Sequence, residues 1–421
     1  MSPGSSGISI IIVGLGFAGL ACAIESVIKG HSVIVLEKYD HARMHGVINF
    51  NTNVGRFFIR WGLHDKLWAI GGHPTEFKLH NHLGEVIENQ HLPHEQYNSR
   101  SYNGHRGEYF QVLFEHAHSL GVDMRMGKNV QEFWEDDKAG KAGVVVDGER
   151  LEADVVVGAD GVRSTARKLV LGYDDKPKPS GYAIFRAWFD PKEAGMAEDP
   201  LTADFAGEED IFYGWIGPDV HMLASNSKKG NAMVCVLTHK DDAEIEESWS
   251  FPGKREDALA VVKGWDPRCT AILSKVPSFV DWKLVYREPL PTWLSKGAHC
   301  ALIGDAAHPI LPTSIQGASQ AIEDGITLAV VLQLSGKKNI PTALRAWEHI
   351  RYQRVRRTQI LGETTRNKWH RASPTESGES LDLPFPEWLL DFDAERHAYE
   401  VYQGIAARIE REGYTLPELP A

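Results

Sequence analysis

One stretch near the N-terminus constrains the fold more than any other. Ile8 to Val13 is an apolar, β-branched run broken only by Ser9, as expected of a strand buried on both faces of a parallel sheet. Gly14-Leu15-Gly16-Phe17-Ala18-Gly19 follows, then LACAIESVIKG with helical periodicity, then a second apolar strand, HSVIVLEK, that ends on Glu37 and Lys38. Strand, glycine turn, helix and strand make a complete βαβ unit, and Glu37 stands 18 residues beyond Gly19. The three glycines serve different physical needs. Gly14 allows the tight turn, Gly16 lets backbone approach a pyrophosphate, and Gly19 lets helix and strand pack closely. The helix then turns its N–H groups and positive dipole end toward the phosphates, and Glu37 accepts from a ribose diol. The unit predicts a bound dinucleotide.

A chain of 421 residues, 43% hydrophobic, is too long for one simple core and predicts two or more domains. The net charge of -12 argues against a nucleic-acid partner. Cys22, Cys235, Cys269 and Cys300 form no CxxC pair, which fits a reducing compartment and a cytoplasmic location. The opening MSPGSSG has no signal-peptide pattern, and the first apolar stretch carries three glycines, so no integral membrane segment is expected. His80, His82, His91 and His94 match no compact ligand spacing, and no metal is expected. The basic cluster Arg351, Arg354, Arg356, Arg357 reads as a helix pairing with acidic neighbours.

Beyond the βαβ unit, HRGEYFQVLFEHAHSLG (105–121) reads as an amphipathic helix, and RLEADVVVGADGVRSTARKLV (150–170) as strand, turn and helix. From Tyr182 to Tyr286 the texture changes to short alternating runs rich in aromatics, such as YAIFRAWF and DIFYGWIG, which predict an antiparallel sheet. The α/β texture resumes at HCALIGDAAH, and a helical tail follows. The expected fold class is α/β: a Rossmann-like dinucleotide-binding domain from residues 1–73, 101–175 and 288–340, with an inserted β-sheet substrate domain from 74–100 and 176–287. Residues 341–421 form a C-terminal helical region.

Three blocks in this order resemble the group A FAD monooxygenases, the flavoprotein aromatic hydroxylases related to para-hydroxybenzoate and salicylate hydroxylase. They are GLGFAGL with Glu37; Gly158-Ala159-Asp160-Gly161 with Arg163, Ser164 and Arg167; and Gly304-Asp305 with the following Pro-rich loop to Gln316-Gly317-Ala318. The resemblance implies that the first holds the ADP half of FAD and that Asp160's segment touches FAD. It places Asp305 on the ribityl chain or its ribose, and Pro312 and Gln316 to Ala318 beneath the flavin ring. Arg43, Gly46 and Val47 stand where the family has an arginine for FAD and a Gly-rich stretch beside the ring, with His45 near the flavin edge; Arg106 stands where the family reaches toward the pyrophosphate. The chain departs from the family at Ile315, where the flavin loop usually has glycine, and at Ser319, where it usually has asparagine.

The implied activity is monooxygenation. NAD(P)H, as a transient visitor, reduces FAD; O2 gives a C4a-hydroperoxide; and one oxygen atom passes to an electron-rich aromatic or heteroaromatic small molecule. An epoxidising or dearomatising biosynthetic enzyme of the same fold, or a non-catalytic binding protein, are the alternatives. Arg186 in YAIFRAWF is a candidate to hold a carboxylate or phenolate, and Tyr213 and His221 are candidate acid/base groups.

Overall fold

The computed structural model describes residues 4–40, 46–241, 251–371 and 380–418 of the chain. Strands Ser9–Val13, Ser32–Leu36, Asp123–Arg125, Val155–Gly158 and Cys300–Leu302 form a five-stranded sheet, with Ser9–Val13 in the middle and every pairing parallel. Parallel strands buried on both faces need apolar side chains throughout, and Ile10, Ile11, Ile12, Val155, Val156 and Val157 are all essentially inaccessible. The helices Phe17–Ile28 and Gly317–Ser335 pack together beside this sheet. Gly325 makes that possible, since a Cβ there would lie 2.6 Å from the Cys22 nitrogen. All four cysteines are buried thiols.

A second sheet has eight strands, in the order Phe251–Gly253, Phe279–Tyr286, Lys178–Phe189, Ala232–Lys240, Val220–Ser227, Phe212–Gly217, Glu76–Asn81 and Val86–His91. It is not purely antiparallel, because Phe212–Gly217 pairs parallel with Glu76–Asn81. Nor is the 182–286 region all strand. Helices Arg255–Val261 and Pro267–Lys275 cover the far face of the sheet, the second capped by the Asp266 side chain with Pro267 in its first turn. Both faces are therefore buried, one under these helices and the other toward the parallel sheet.

The C-terminal region is helical at Ile340–Arg371 and Ala394–Glu412. Arg351 and Arg354 turn inward and meet Glu323 and Asp324 of the neighbouring helix. Between the two helices, a segment around Leu383 is held to the large sheet by the Gln90 amide, which accepts from Leu383 N at 2.8 Å. Among the described residues no helix is long and apolar enough to cross a membrane, and no group of His, Cys, Asp or Glu is placed to hold a metal ion.

Candidate active site

The glycine turn is built as its spacing predicts. Gly14 has φ +103°, and a Cβ there would lie 2.4 Å from the Ala159 carbonyl oxygen. At Gly19 a Cβ would meet the Gly14 oxygen at 2.0 Å. Gly16 differs: its backbone is extended, and nothing lies within 4 Å of the Cβ position. The helix it precedes has no side-chain cap, so the N–H groups of its first turn are available to an anion. Glu37 sits at the end of the next strand, where its carboxylate accepts from Leu15 N at 2.8 Å and Tyr39 N at 3.0 Å. Lys38 is exposed, over the Tyr39 ring.

A cavity of about 440 Å³ opens at the carboxyl ends of the parallel strands, where α/β sheets bind their ligands. Gly16 and Ala18 line it, with Val47, Arg106, Asp305, Pro312, Gln316, Gly317 and Ala318. Gly304 has φ +58°, and a Cβ there would crowd the Ala18 and Ala321 methyls, each at 3.0 Å. The small residues thus leave a flat floor. Gly46 accepts from Arg106 N at 2.8 Å through its carbonyl, and its own Cβ position lies 3.7 Å from Arg186 Nη1. The helix from Gly317 also starts without a side-chain cap.

The opposite wall is the large sheet. Arg186 pairs with Val236, Val236 with Leu223, and Phe212 with Ser225, so these side chains share one face. Phe212, Leu223, Val234, Val236 and Trp282 make the wall apolar, and Arg186 is its cation, with its guanidinium carbon 5.1 Å from the Trp282 ring centroid. Burial, and then Arg106, push the Arg186 pKa down to about 10. Burial also lowers that of Arg106, opposed by Asp305. Burial raises the Asp305 carboxyl above its ordinary value, with Arg106, His308 and Arg167 opposing it.

Several expected residues stand elsewhere. Asp160 is not itself in the cavity lining, although its neighbours Ala159 and Gly161 are; its Oδ2 accepts from Thr165 N at 2.7 Å, and its Oδ1 has no partner among the described residues. Tyr213 lies opposite Ala224, one residue out of phase with Phe212, and packs against Phe205 under the covering helices. With its hydroxyl away from the cavity, Tyr213→Phe is expected to change kcat/KM by no more than about two-fold, read by steady-state kinetics. His221 lines a separate cavity of about 60 Å³. There its Nδ1 shares a 2.8 Å hydrogen bond with His370 Nε2, and burial lowers both pKa values, that of His370 to about 4. Arg43 and His45 lie outside the described residues.

Other residues come to the site unannounced. Asn49 and Asn51 line the cavity, and Asn49 Oδ1 and Asn51 Nδ2 have no partner among the described residues. A buried amide without a partner fits a polar ligand edge. Leu383, Phe385 and Leu390 close the cavity from the C-terminal segment. Ile315 holds a left-handed backbone, φ +56°, which is unfavourable for a β-branched residue. Its side chain packs against the cluster of Phe77, Ile216, Trp369 and Leu383, and this packing offsets the strain. The uncapped helix starts, the open space at Gly16, the orphaned amides and the flat floor all fit FAD. Glycine-turn N–H groups and Arg106 would hold its phosphates, and the Pro312–Ala318 loop its ring.

The chain belongs to the FAD binding domain family, whose model matches residues 8–359. It is 35% identical to the FAD-dependent monooxygenase nodY2 of Hypoxylon pulicicidum, over 99% of this chain and 95% of that protein. It is 36% identical to the asperlicin C monooxygenase of Petromyces alliaceus, over 98% and 92%. The crystal structure of CtdE with FAD and a substrate superposes with a TM-score of 0.90 at 30% identity, covering 96% of this chain and 100% of that one. The protein is a group A FAD-dependent monooxygenase.

Proposed function

We propose that the protein uses NAD(P)H and O2 to insert one oxygen atom into an electron-rich aromatic or heteroaromatic small molecule of secondary metabolism. The other oxygen atom leaves as water, with electrons from the nicotinamide. The observation that carries this reading is the apolar sheet face opposite the Pro312–Ala318 loop, with Arg186 set into it. Relatives named as fungal FAD-dependent monooxygenases, one of them named for asperlicin C, support a biosynthetic substrate.

When bound and reduced, FAD supplies activation of O2 as an electrophilic oxygen donor. The chain's own residues do the rest. Phe212, Leu223, Val234 and Leu383 exclude water and hold a planar ring. Arg186 donates through its planar fork to a phenolate, carbonyl or carboxylate oxygen on the substrate, and its lowered pKa makes it a stronger donor there. The N-terminus of helix Gly317–Ser335 has N–H groups free of any side-chain cap, and these would stabilise negative charge on a reduced flavin held there.

The test is to purify the protein, record its visible spectrum, and follow NADH and NADPH oxidation with phenols, hydroxybenzoates and indoles. A yellow protein whose oxidation of nicotinamide rises with one ring class, giving a product one oxygen heavier, meets the expectation. Product structure then separates hydroxylation from epoxidation or dearomatisation. Nicotinamide oxidation that no ring class stimulates would defeat the substrate reading. Arg186→Leu is expected to weaken the stimulating substrate by roughly 10- to 100-fold in kcat/KM, the loss of a charged hydrogen bond of about 1.5–3 kcal/mol.

A further inference from the structure

The sheet face that walls the large cavity continues beyond it. Arg186, Val236 and Leu223 form one row across three strands, and the next row on the same face is Ile184, Thr238 and His221. The cavity of about 60 Å³ lies over this second row. It shares four lining residues with the large cavity: Leu223, Val236, Pro312 and Ile315. Leu223 and Val236 belong to the sheet and are the floor common to both. Pro312 and Ile315 belong to the flavin loop, so the two cavities are one trough divided where the loop meets the sheet.

Ile315 is the divider. Its side chain packs against the cluster of Phe77, Trp369 and Leu383, as Leu223 does, whereas Pro312 is exposed. The backbone at Ile315 is left-handed, φ +56°, a conformation that costs a β-branched residue and that glycine adopts freely. A side chain kept against its backbone preference points to a use, and the use the geometry offers is a wall. Beyond that wall the polar groups are engaged within the chain. His221 Nδ1 is bonded to His370, Thr313 Oγ1 donates to the Gly362 carbonyl at 2.7 Å, and Arg366 is turned to Asn367 and the Tyr182 ring. Ile184, Leu284, Leu311 and Trp369 supply much of the rest, so the space suits an apolar group.

We propose that Ile315 is a specificity-determining residue: it ends the substrate cavity on the side of His221 and shuts out ring substrates that carry an apolar chain on that side. The small cavity is the subsite such a chain would occupy if the wall were removed. The proposal rests on the reading of the substrate as an aromatic ring held against this sheet face. It also accounts for His221, which faces the trough but lies beyond the wall, out of reach of a ring beside Arg186.

The test is titration of the FAD-loaded protein with phenol and with 4-methylphenol through 4-pentylphenol, each Kd read from the change in flavin absorbance. Within one protein, the ratio of the phenol Kd to the 4-pentylphenol Kd measures room for the chain and cancels changes common to both ligands. In Ile315→Gly this ratio is expected to rise about ten-fold over wild type, since each methylene moved from water into apolar surroundings is worth about four-fold. Ile184→Phe fills the small cavity without touching the large one. Added to Ile315→Gly, it is expected to return the ratio to the wild-type value, and alone to leave the phenol Kd unchanged. Leu284→Phe reaches the same cavity from the neighbouring strand and takes its place if Ile184→Phe does not fold. A loop merely loosened by glycine would keep its raised ratio when the small cavity is filled. A ratio unmoved by Ile315→Gly, or raised but indifferent to filling, overturns the proposal while the aromatic substrate stands. If no phenol of the series binds even the wild type, the aromatic reading falls and takes the wall with it.

Discussion

Gly16→Val is expected to yield a folded, colourless protein. The backbone at Gly16 is extended, which valine accepts, and nothing lies within 4 Å of its Cβ position. The fold loses about 1 kcal/mol of N-cap preference, a shift of about 1 °C in Tm. The open space is needed for something outside the chain. Gly16 lines the cavity at the start of an uncapped helix, where the FAD pyrophosphate would be cradled against backbone N–H groups. A valine side chain there holds the phosphates off. FAD affinity is expected to fall about a thousand-fold, on the order of 4 kcal/mol. Titration of apoprotein with FAD by flavin fluorescence, beside a circular-dichroism melt, checks both halves. Gly14→Val should behave differently. At φ +103°, with Ala159 O at 2.4 Å from the Cβ position, it damages the fold as well as the site. A Gly16→Val protein that purified yellow would remove the glycine turn from the cofactor site.

What is legible in the sequence is what depends on local spacing. The turn at Gly14, Gly16 and Gly19, the acid at Glu37 and the small floor at Gly304 are short-range patterns in which each residue type answers a backbone need. Phe212 and Tyr213 show where that reading stops. Period two says that adjacent residues face opposite sides of a strand, but not which side is the cavity. In a surface sheet polarity would decide. Here helices Arg255–Val261 and Pro267–Lys275 bury the far face, so both faces are apolar and the choice between neighbours has no signal. His221 does share the cavity-side face with Leu223, yet it lies farther along the strand, where Trp369 and His370 cover it. Leu383 and Phe385 sit in a Pro-containing stretch with no periodicity. Their place is set by Gln90, 293 residues away, a pairing that no local pattern announces. Asn49 and Asn51 are lone amides, and a lone amide has no signature until its missing partner is seen.

The second large effect concerns the base of the flavin loop. Glu323 and Asp324 are wholly inaccessible, and so is Arg351. Glu323 Oε1 accepts from Asn53 at 2.6 Å and from Arg354 at 2.8 Å; Oε2 accepts from Arg351 at 2.5 Å and Arg354 at 2.7 Å. Asp324 accepts from Arg351 at 2.8 Å and from Gly304 N at 3.0 Å. Asn53 also donates to Gln316 at 3.1 Å, so the same network that anchors the C-terminal helix orients the loop residue at the cavity. Glu323→Gln leaves two guanidinium groups buried against a neutral amide, and breaking one partner of a buried pair costs about 3–5 kcal/mol. A Tm lower by roughly 3 to 6 °C is expected. The effect should depend on pH in a definite direction. Burial pushes the Glu323 carboxyl up, but Arg354 and Arg351 outweigh it and hold the carboxyl below its ordinary value. Its contribution is therefore complete above the unfolded value of 4.5 and is lost as pH falls through the lower folded value. Protonated Glu323 resembles glutamine in charge. Wild type and variant should differ most at pH 5 to 7, and the gap should start to close as pH falls below 4.5, in urea melts at fixed temperature. A gap that stays constant down to pH 3 would mean that the variant loses packing rather than charge pairing.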